Sequence, residues 1–162
     1  MNRCMALRER ILVTGCSFRG TVTADFGDSL YSFTLDCLSD AEGNLKFTVV
    51  APEEISGISG TVRAGKGKLE YEDLVLAFPL LADGEISPVS SPWILVQALR
   101  GGYLASCGKE GDFLRLTVHD SYAEDALHLD VWLNESNEPI RAEILWHGRR
   151  VLSMELEDFR FV

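Results

Sequence analysis

Apolar and polar side chains alternate along most of the chain from residue 31 onward. Every second residue from Tyr31 to Cys37 is apolar, and the same alternation resumes at residues 45–49 after a polar turn at residues 40–44. A period of two residues is typical of β-strands with one buried face. We therefore predict a hairpin, followed by one helical turn within residues 52–57.

The second half of the chain continues as an antiparallel meander. Gly65-Lys66-Gly67 marks another hairpin turn, and strands recur from residue 103 to residue 161. A change of the inward phase near Glu157 and Asp158 predicts a β-bulge. Matching the apolar faces sets the register, and the predicted pairs are Val118 with Leu129, Leu116 with Val131, Val131 with Ala142, Leu133 with Ile140, and Trp132 with Arg141 as a cation-π contact.

A single well-marked helix interrupts the strands. Ser90 and Pro92 are typical of a helix start, and Gly101-Gly102 is typical of a helix end. Because nearly all of its side chains are apolar, this helix must be buried. The predicted fold is mainly β: a single domain over residues 29–162, in which a curved antiparallel sheet of about eight strands forms an incomplete barrel, with one main helix at about residues 92–100 in its concave face.

The negative charge of the chain argues against a nucleic-acid partner. Its 162 residues carry 25 acidic and 15 basic side chains, a net charge of −10, which repels the phosphates of nucleic acids. The acidic residues are scattered, as on a solvated surface. No apolar run approaches the roughly 18 residues of a membrane span. We therefore predict no nucleic-acid partner, and any link to a membrane must come through a lipid.

Catalytic chemistry has little support in the sequence. The GxSxG, SxxK, GxGxxG and Walker motifs are absent, so neither an enzymatic activity nor a cofactor is predicted. His119, His128 and Asp130 share one outward face in the predicted register, and two imidazoles with a carboxylate could bind zinc. The more ordinary interpretation is that they are polar side chains on the solvated side of the sheet, and no metal site is predicted.

A short motif near the N-terminus suggests lipid attachment. Val13-Thr14-Gly15-Cys16 resembles a lipobox, because small residues precede a cysteine whose thiol would carry the lipid, and Arg3, Arg8 and Arg10 supply a basic start. The apolar stretch at residues 11–15 is short for a signal peptide. We predict a residual or truncated signal peptide at residues 1–15, lipidation of Cys16 and a tether at residues 16–28. The alternative is a frayed terminus with a chance cysteine.

The other cysteines show no metal-ligand spacing. If Cys4 is removed with the leader and Cys16 carries a lipid, Cys37 and Cys107 remain. Export would permit these two thiols to form a disulfide. Both lie in apolar strand patterns, so two buried free thiols are the simpler interpretation.

The apolar side chains of the predicted sheet exceed what one short helix can cover. Such a sheet must either hold an apolar ligand or close into a filled core. In the first case the helix forms a lid, and Leu95→Glu should abolish ligand uptake while preserving the fold. The predicted ligand-binding residues are Phe33, Phe47, Leu76, Phe78, Trp93, Leu95, Leu99, Leu116, Val131 and Trp146.

Together these features resemble the LolA-like, LolB-like and RseB-like superfamily of bacterial lipoprotein carriers and sensors. The resemblance covers most of residues 20–162. It implies an unclosed antiparallel barrel around helices, with an apolar cavity that receives acyl chains or apolar protein segments. It rests on the Thr-Gly-Cys motif at residues 14–16, the Pro-Glu-Glu segment at residues 52–54, Tyr71 before a leucine run, the proline-capped helix and the segment from Glu138 to Phe159.

The motif and the resemblance predict a lipid-anchored extracytoplasmic protein, at the cell surface or in the periplasm, that binds an apolar ligand without catalysis. Its predicted partners are the membrane surface, reached through acylated Cys16, and an apolar ligand or a lipoprotein. The alternative is a structural or interaction domain of an envelope complex, with a filled core, no small-molecule ligand and a partner bound along a sheet edge.

Overall fold

The residues that the structure describes form one open antiparallel sheet and two α-helices. The computed structural model describes residues 2–25, 27–57, 59–62, 69–71, 90–119 and 127–162. The helices are α1 (Asn2–Val13) and α2 (Ser91–Gly101), and a 3-10 turn spans Glu53–Ile55. The strands are β1 (Cys16–Asp25), β2 (Leu30–Ser39), β3 (Leu45–Ala51), β4 (Ser59–Val62), β5 (Leu69–Tyr71), β6 (Tyr103–Glu110), β7 (Phe113–His119), β8 (His128–Leu133), β9 (Pro139–Trp146) and β10 (Arg149–Phe161).

The ten strands lie in the order β5-β4-β3-β2-β1-β10-β9-β8-β7-β6. Two meanders therefore meet at the centre of the sheet, where the first strand pairs with the last. Backbone hydrogen bonds in both directions between Gly15 and Val162 extend this contact beyond the strands, with N···O distances of 3.1 and 3.0 Å. The residue before β1 and the residue after β10 are thus joined in the middle of the sheet.

The predicted tether at residues 16–28 is wrong. Residues Cys16–Asp25 form β1, which pairs along its length with β2 and β10. The segment is rich in small and threonine residues, which suggested a linker, but Phe18, Val22 and Ala24 alternate inward and are buried. Threonine is β-branched and suits the outward positions of a strand.

Strands β1–β4 and β7–β10 bury side chains on one common face of the sheet, which we call the inner face. Both helices pack on it and belong with it to one hydrophobic core. Charged and polar side chains occupy the opposite face, as the alternating burial of β2, β3 and β7 shows. Core residues on the inner face include Val22, Phe33, Leu35, Phe47, Leu116, Leu129, Val131, Ile144, Leu152 and Met154.

The structure confirms the predicted fold class, a mainly β fold whose antiparallel sheet stays open, as in an incomplete barrel, with a helix packed on its apolar face. The helix predicted at residues 92–100 is α2, with Pro92 in its first turn and Gly102 at its end. The predicted hairpin at residues 31–49 is the β2–β3 pair, in which Cys37 lies opposite Phe47. Within the described residues the sheet has ten strands, where about eight were predicted, and α1 is a second helix that was not predicted.

The predicted register is confirmed except at one end of β9. Val118 pairs with Leu129, Leu116 with Val131, Val131 with Ala142, and Trp132 with Arg141. Leu133, however, pairs with Pro139 rather than Ile140, across a register shift. Proline has no amide hydrogen for the ladder and is tolerated at the first residue of a strand or at a bulge. The bulge predicted near Asp158 is confirmed by the shift in pairing between β1 and β10.

Candidate functional site

The candidate site is the part of the inner face that α1 covers. This helix buries three side chains, Cys4, Leu7 and Ile11, in the common core, and most of its other residues face solvent. Their spacing of three and four residues places them on one helical stripe. Residues 2–13, predicted as part of a leader, therefore form an amphipathic helix folded onto the domain.

Arginine side chains hold α1 at its borders. Arg3 donates hydrogen bonds to the Asn137 Oδ1 atom at 2.6 Å and to the Asn134 carbonyl at 2.7 Å, in the turn between β8 and β9. The Arg10 guanidinium lies over the ring of Phe161 in β10, 4.2 Å from its centroid. These contacts join α1 to two separate parts of the second meander.

Arg8 connects α1 to the C-terminal end of α2. Its guanidinium donates to the carbonyl oxygens of Leu99 at 2.9 Å, Ala98 at 3.2 Å and Gly102 at 2.6 Å. The last carbonyls of a helix lack intrahelical partners and carry partial negative charge, so a cation is favourable there. Burial lowers the pKa of the Arg8 guanidinium from its ordinary value. Arg8 is thus the main polar attachment between the two helices.

Each residue of the lipobox-like motif from Thr14 to Cys16 has a structural role in the fold. The Thr14 hydroxyl donates to the Arg10 carbonyl at the end of α1. Gly15 passes so close to β2 that a side-chain carbon would overlap the carbonyl oxygen of Ser39. Cys16 is 0% exposed in β1, and burial raises the pKa of its thiol to about 12. A small residue followed by a buried cysteine is therefore also what the packing requires at this position.

The predicted ligand-binding residues largely meet in the core. Trp93 and Trp146 are partly buried against it, while Leu76 and Phe78 lie outside the described residues. The others belong to the common core and are nearly or fully buried, at 0 to 4% exposure: Phe33, Phe47, Leu95, Leu99, Leu116 and Val131. The inner face is thus apolar as predicted, and among the described residues it shares one core with α1 and α2.

The residues considered for zinc are engaged in other contacts. His119 and His128 are a cross-strand pair whose rings stack at 3.9 Å, so their faces meet. The Asp130 carboxylate accepts hydrogen bonds from Arg115 and Thr117, both at 2.7 Å. Among the described residues, no group of three histidine, cysteine, aspartate or glutamate side chains could hold a metal ion.

The outer face carries the predicted cation-π contact. Arg141 lies 5.3 Å from the Trp132 ring, and Arg115 lies 5.2 Å from it. The Trp132 indole also donates to Glu110 at 3.3 Å. The Arg115–Asp130 ion pair extends this network, with the carboxylate mostly buried. These contacts stabilise the pairing of β7, β8 and β9 on the solvent side.

The role of α1 was missed because residues 1–15 were interpreted as a leader. The signal that could have revealed it is the spacing of Cys4, Leu7 and Ile11, which lie at positions i, i+3 and i+7. No helix within the described ranges is long and apolar enough to cross a membrane.

No protein-family model and no curated protein matches this chain. Solved structures with a similar course of the chain include an uncharacterized conserved protein from Thermus thermophilus, with a TM-score of 0.49, 9% identity, and coverage of 99% of this chain and 86% of that one. The LolA superfamily protein NE2245 from Nitrosomonas europaea has a TM-score of 0.42, 11% identity, and coverage of 98% and 93%. The Pseudomonas aeruginosa MucA/MucB complex has a TM-score of 0.44, 11% identity, and coverage of 99% and 57%.

Proposed function

We propose that this chain is a non-catalytic binding domain that takes an apolar ligand, either an acyl chain or an apolar stretch of protein, into the groove that α1 occupies. The observation that carries the proposal is the way α1 is attached. Its apolar stripe enters the core, but arginine contacts to backbone carbonyls and an asparagine side chain make up much of its border. The proposed ligand replaces the apolar stripe.

The modest free energy that holds α1 in place supports its displacement by a ligand. Burial of Leu7 and Ile11 contributes about 2 kcal/mol each, a small part of what the whole core contributes. At 1.5 Å per residue, the twelve residues of α1 cover a groove about 18 Å long. Removing the helix would expose an elongated apolar surface between the end of α2 and the turn that contains Asn134. Such a shape suits an extended apolar chain.

The first test compares uptake of a fluorescent fatty acid by the intact chain and by Arg8→Ala. Loss of the Arg8 hydrogen bonds to α2 weakens the docking of α1 by about 1.4 kcal/mol, so the variant should bind about tenfold more tightly than the parent. Fluorescence titration measures the two dissociation constants. Glu9→Ala is the matched control, because Glu9 is exposed on the same helix, and its affinity should equal that of the parent.

Equal affinities of the parent and Arg8→Ala, or no uptake by either, would contradict displacement of α1. The second result would favour the alternative of an interaction domain with a filled core. The observation that favours this alternative is the burial of the predicted ligand-binding residues, of which Leu95 and Val131 are 0% exposed. In that case a partner would bind elsewhere, for example along β6, which lies at one end of the strand order.

Lipid attachment at Cys16 conflicts with the packing of the N-terminal helix, whereas an extracytoplasmic location stays a prediction. Attachment requires the Cys16 sulfur to leave its buried position in β1, and cleavage before Cys16 would remove α1. Since α1 is packed into the core, we expect the chain to keep residues 2–15 with an unmodified Cys16. Intact-mass measurement on protein from fractionated bacterial cells checks this. A membrane-bound chain that begins at acylated Cys16, lost on Cys16→Ser, would establish the anchor instead.

A further inference from the structure

Two cysteines that are 103 residues apart in sequence meet between α1 and the edge of the sheet. The Cys4 sulfur lies 3.0 Å from the Cys107 sulfur. Cys4 is on the buried stripe of α1, at 3% exposure, and Cys107 is on β6 with intermediate exposure. A disulfide between Cys37 and Cys107, the alternative that the sequence left open, is not formed, because β2 and β6 lie far apart in the strand order.

The other cysteines have a different environment. Cys16 and Cys37 lie within the sheet on β1 and β2, and both side chains are buried. Burial raises the pKa of both thiols, that of Cys37 well above its ordinary value, so neither forms a thiolate readily. A reagent from solvent therefore reaches Cys107 before it reaches either of them.

We propose that Cys4 and Cys107 form a disulfide when the chain reacts with a disulfide donor, and that this bond holds α1 covalently against β6. The sulfur atoms must approach each other by about 1 Å to reach a bond length of about 2.05 Å. The two side chains project from different elements, so the shift divides between a helix and an edge strand. The bond itself does not depend on the proposed function, whereas its effect on ligand uptake rests on it.

The reaction is a pair of thiol-disulfide exchanges. The more exposed Cys107, as its thiolate, attacks a low-molecular-weight disulfide such as oxidised glutathione, forms a mixed disulfide and releases one thiol. The Cys4 sulfur, after losing its proton to water, attacks the Cys107 sulfur and releases the second thiol. Two protein thiols are oxidised, and one donor disulfide is reduced to two thiols. Burial and the hydrogen bond with Cys107 raise the pKa of Cys4 to about 11, which makes the second step the slower one.

The test treats the full-length chain with oxidised glutathione and measures its intact mass. We expect a product lighter by two hydrogen atoms, with half of its four thiols still titratable after denaturation and a peptide map that joins Cys4 to Cys107. Cys4→Ser should stop at the glutathione adduct of Cys107, and Cys107→Ser should give no product. Cys37→Ser is the matched control and should form the bond as the parent does.

Two results would overturn the inference. One is a parent chain that stops at the Cys107 glutathione adduct under native conditions, as Cys4→Ser should. The other is a bond that joins Cys16 or Cys37 to another cysteine. Hydrogen exchange of the α1 amides measures separately whether the bond stabilises the packed helix, and we expect exchange at least tenfold slower in the oxidised chain. Unchanged exchange in a chain that carries the bond would refute the claim that the disulfide stabilises the packing of α1.

Fatty-acid uptake by the oxidised and reduced chains separates this inference from the proposed function. If a ligand replaces α1, the disulfide should lower uptake at least tenfold, and a reducing agent should restore it. If the bond forms and slows exchange in α1 but uptake is the same in both states, the disulfide stands and displacement of α1 is refuted.

Discussion

Replacing Gly15 with alanine is expected to lower the free energy of unfolding by about 3 kcal/mol. A side-chain carbon at this position would overlap the Ser39 carbonyl oxygen and lie 3.0 Å from the Asp40 Cα atom. Both neighbours are backbone atoms, so no side chain can rotate away to make room. Gly15 is also held by its backbone hydrogen bonds to Val162, which prevent it from moving aside. Urea-induced unfolding followed by circular dichroism measures the change.

Gly108→Ala is the matched control for this prediction. Gly108 lies in β6, and an added carbon there would meet no atom within 4 Å. We expect its free energy of unfolding to stay within about 0.5 kcal/mol of the parent value. Alanine is small enough for a signal peptidase site, so a glycine kept only for processing would tolerate the change. Equal stability of Gly15→Ala and Gly108→Ala would therefore remove the structural explanation of Gly15.

Replacing Leu95 with alanine should cost about 3 kcal/mol of the free energy of unfolding. Leu95 is 0% exposed in α2 and belongs to the common core. Truncation removes buried methyl and methylene groups and leaves a cavity that surrounding strands fill only in part. Leu38→Ala, at a residue of β2 that is 48% exposed, is the matched control and should change stability by less than about 0.5 kcal/mol.

The same burial changes the expectation for Leu95→Glu. A lid residue beside an open cavity would tolerate a carboxylate, but a carboxylate at the fully buried position of Leu95 would have no water around it. Burying an unpaired charge costs several kcal/mol, comparable with the stability of a whole domain. We therefore expect Leu95→Glu to unfold the protein rather than preserve the fold. A cooperative transition near the parent midpoint would contradict this and show that the α2 face opens to water.

The strands and α2 could be predicted because their signals are local. Alternation from Tyr31 onward, glycine at turns and proline at the start of a helix act within a few residues, and apolar matching fixed the register of β7, β8 and β9. It failed at Leu133, because a proline at the start of β9 shifts the pairing by one residue. The predicted binding residues are apolar and central, but the sequence alone does not tell whether a ligand or a helix covers them.

The sequence by itself determined the antiparallel sheet, its apolar face and the position of α2, because side-chain period and turn chemistry are set by near neighbours along the chain. Only the tertiary structure decided that Cys16–Asp25 is a central strand, that α1 covers the inner face, and that Cys4 meets Cys107. These features depend on contacts between residues more than a hundred positions apart. Burial of a short amphipathic helix gains free energy only after the distant strands have built the surface that it covers.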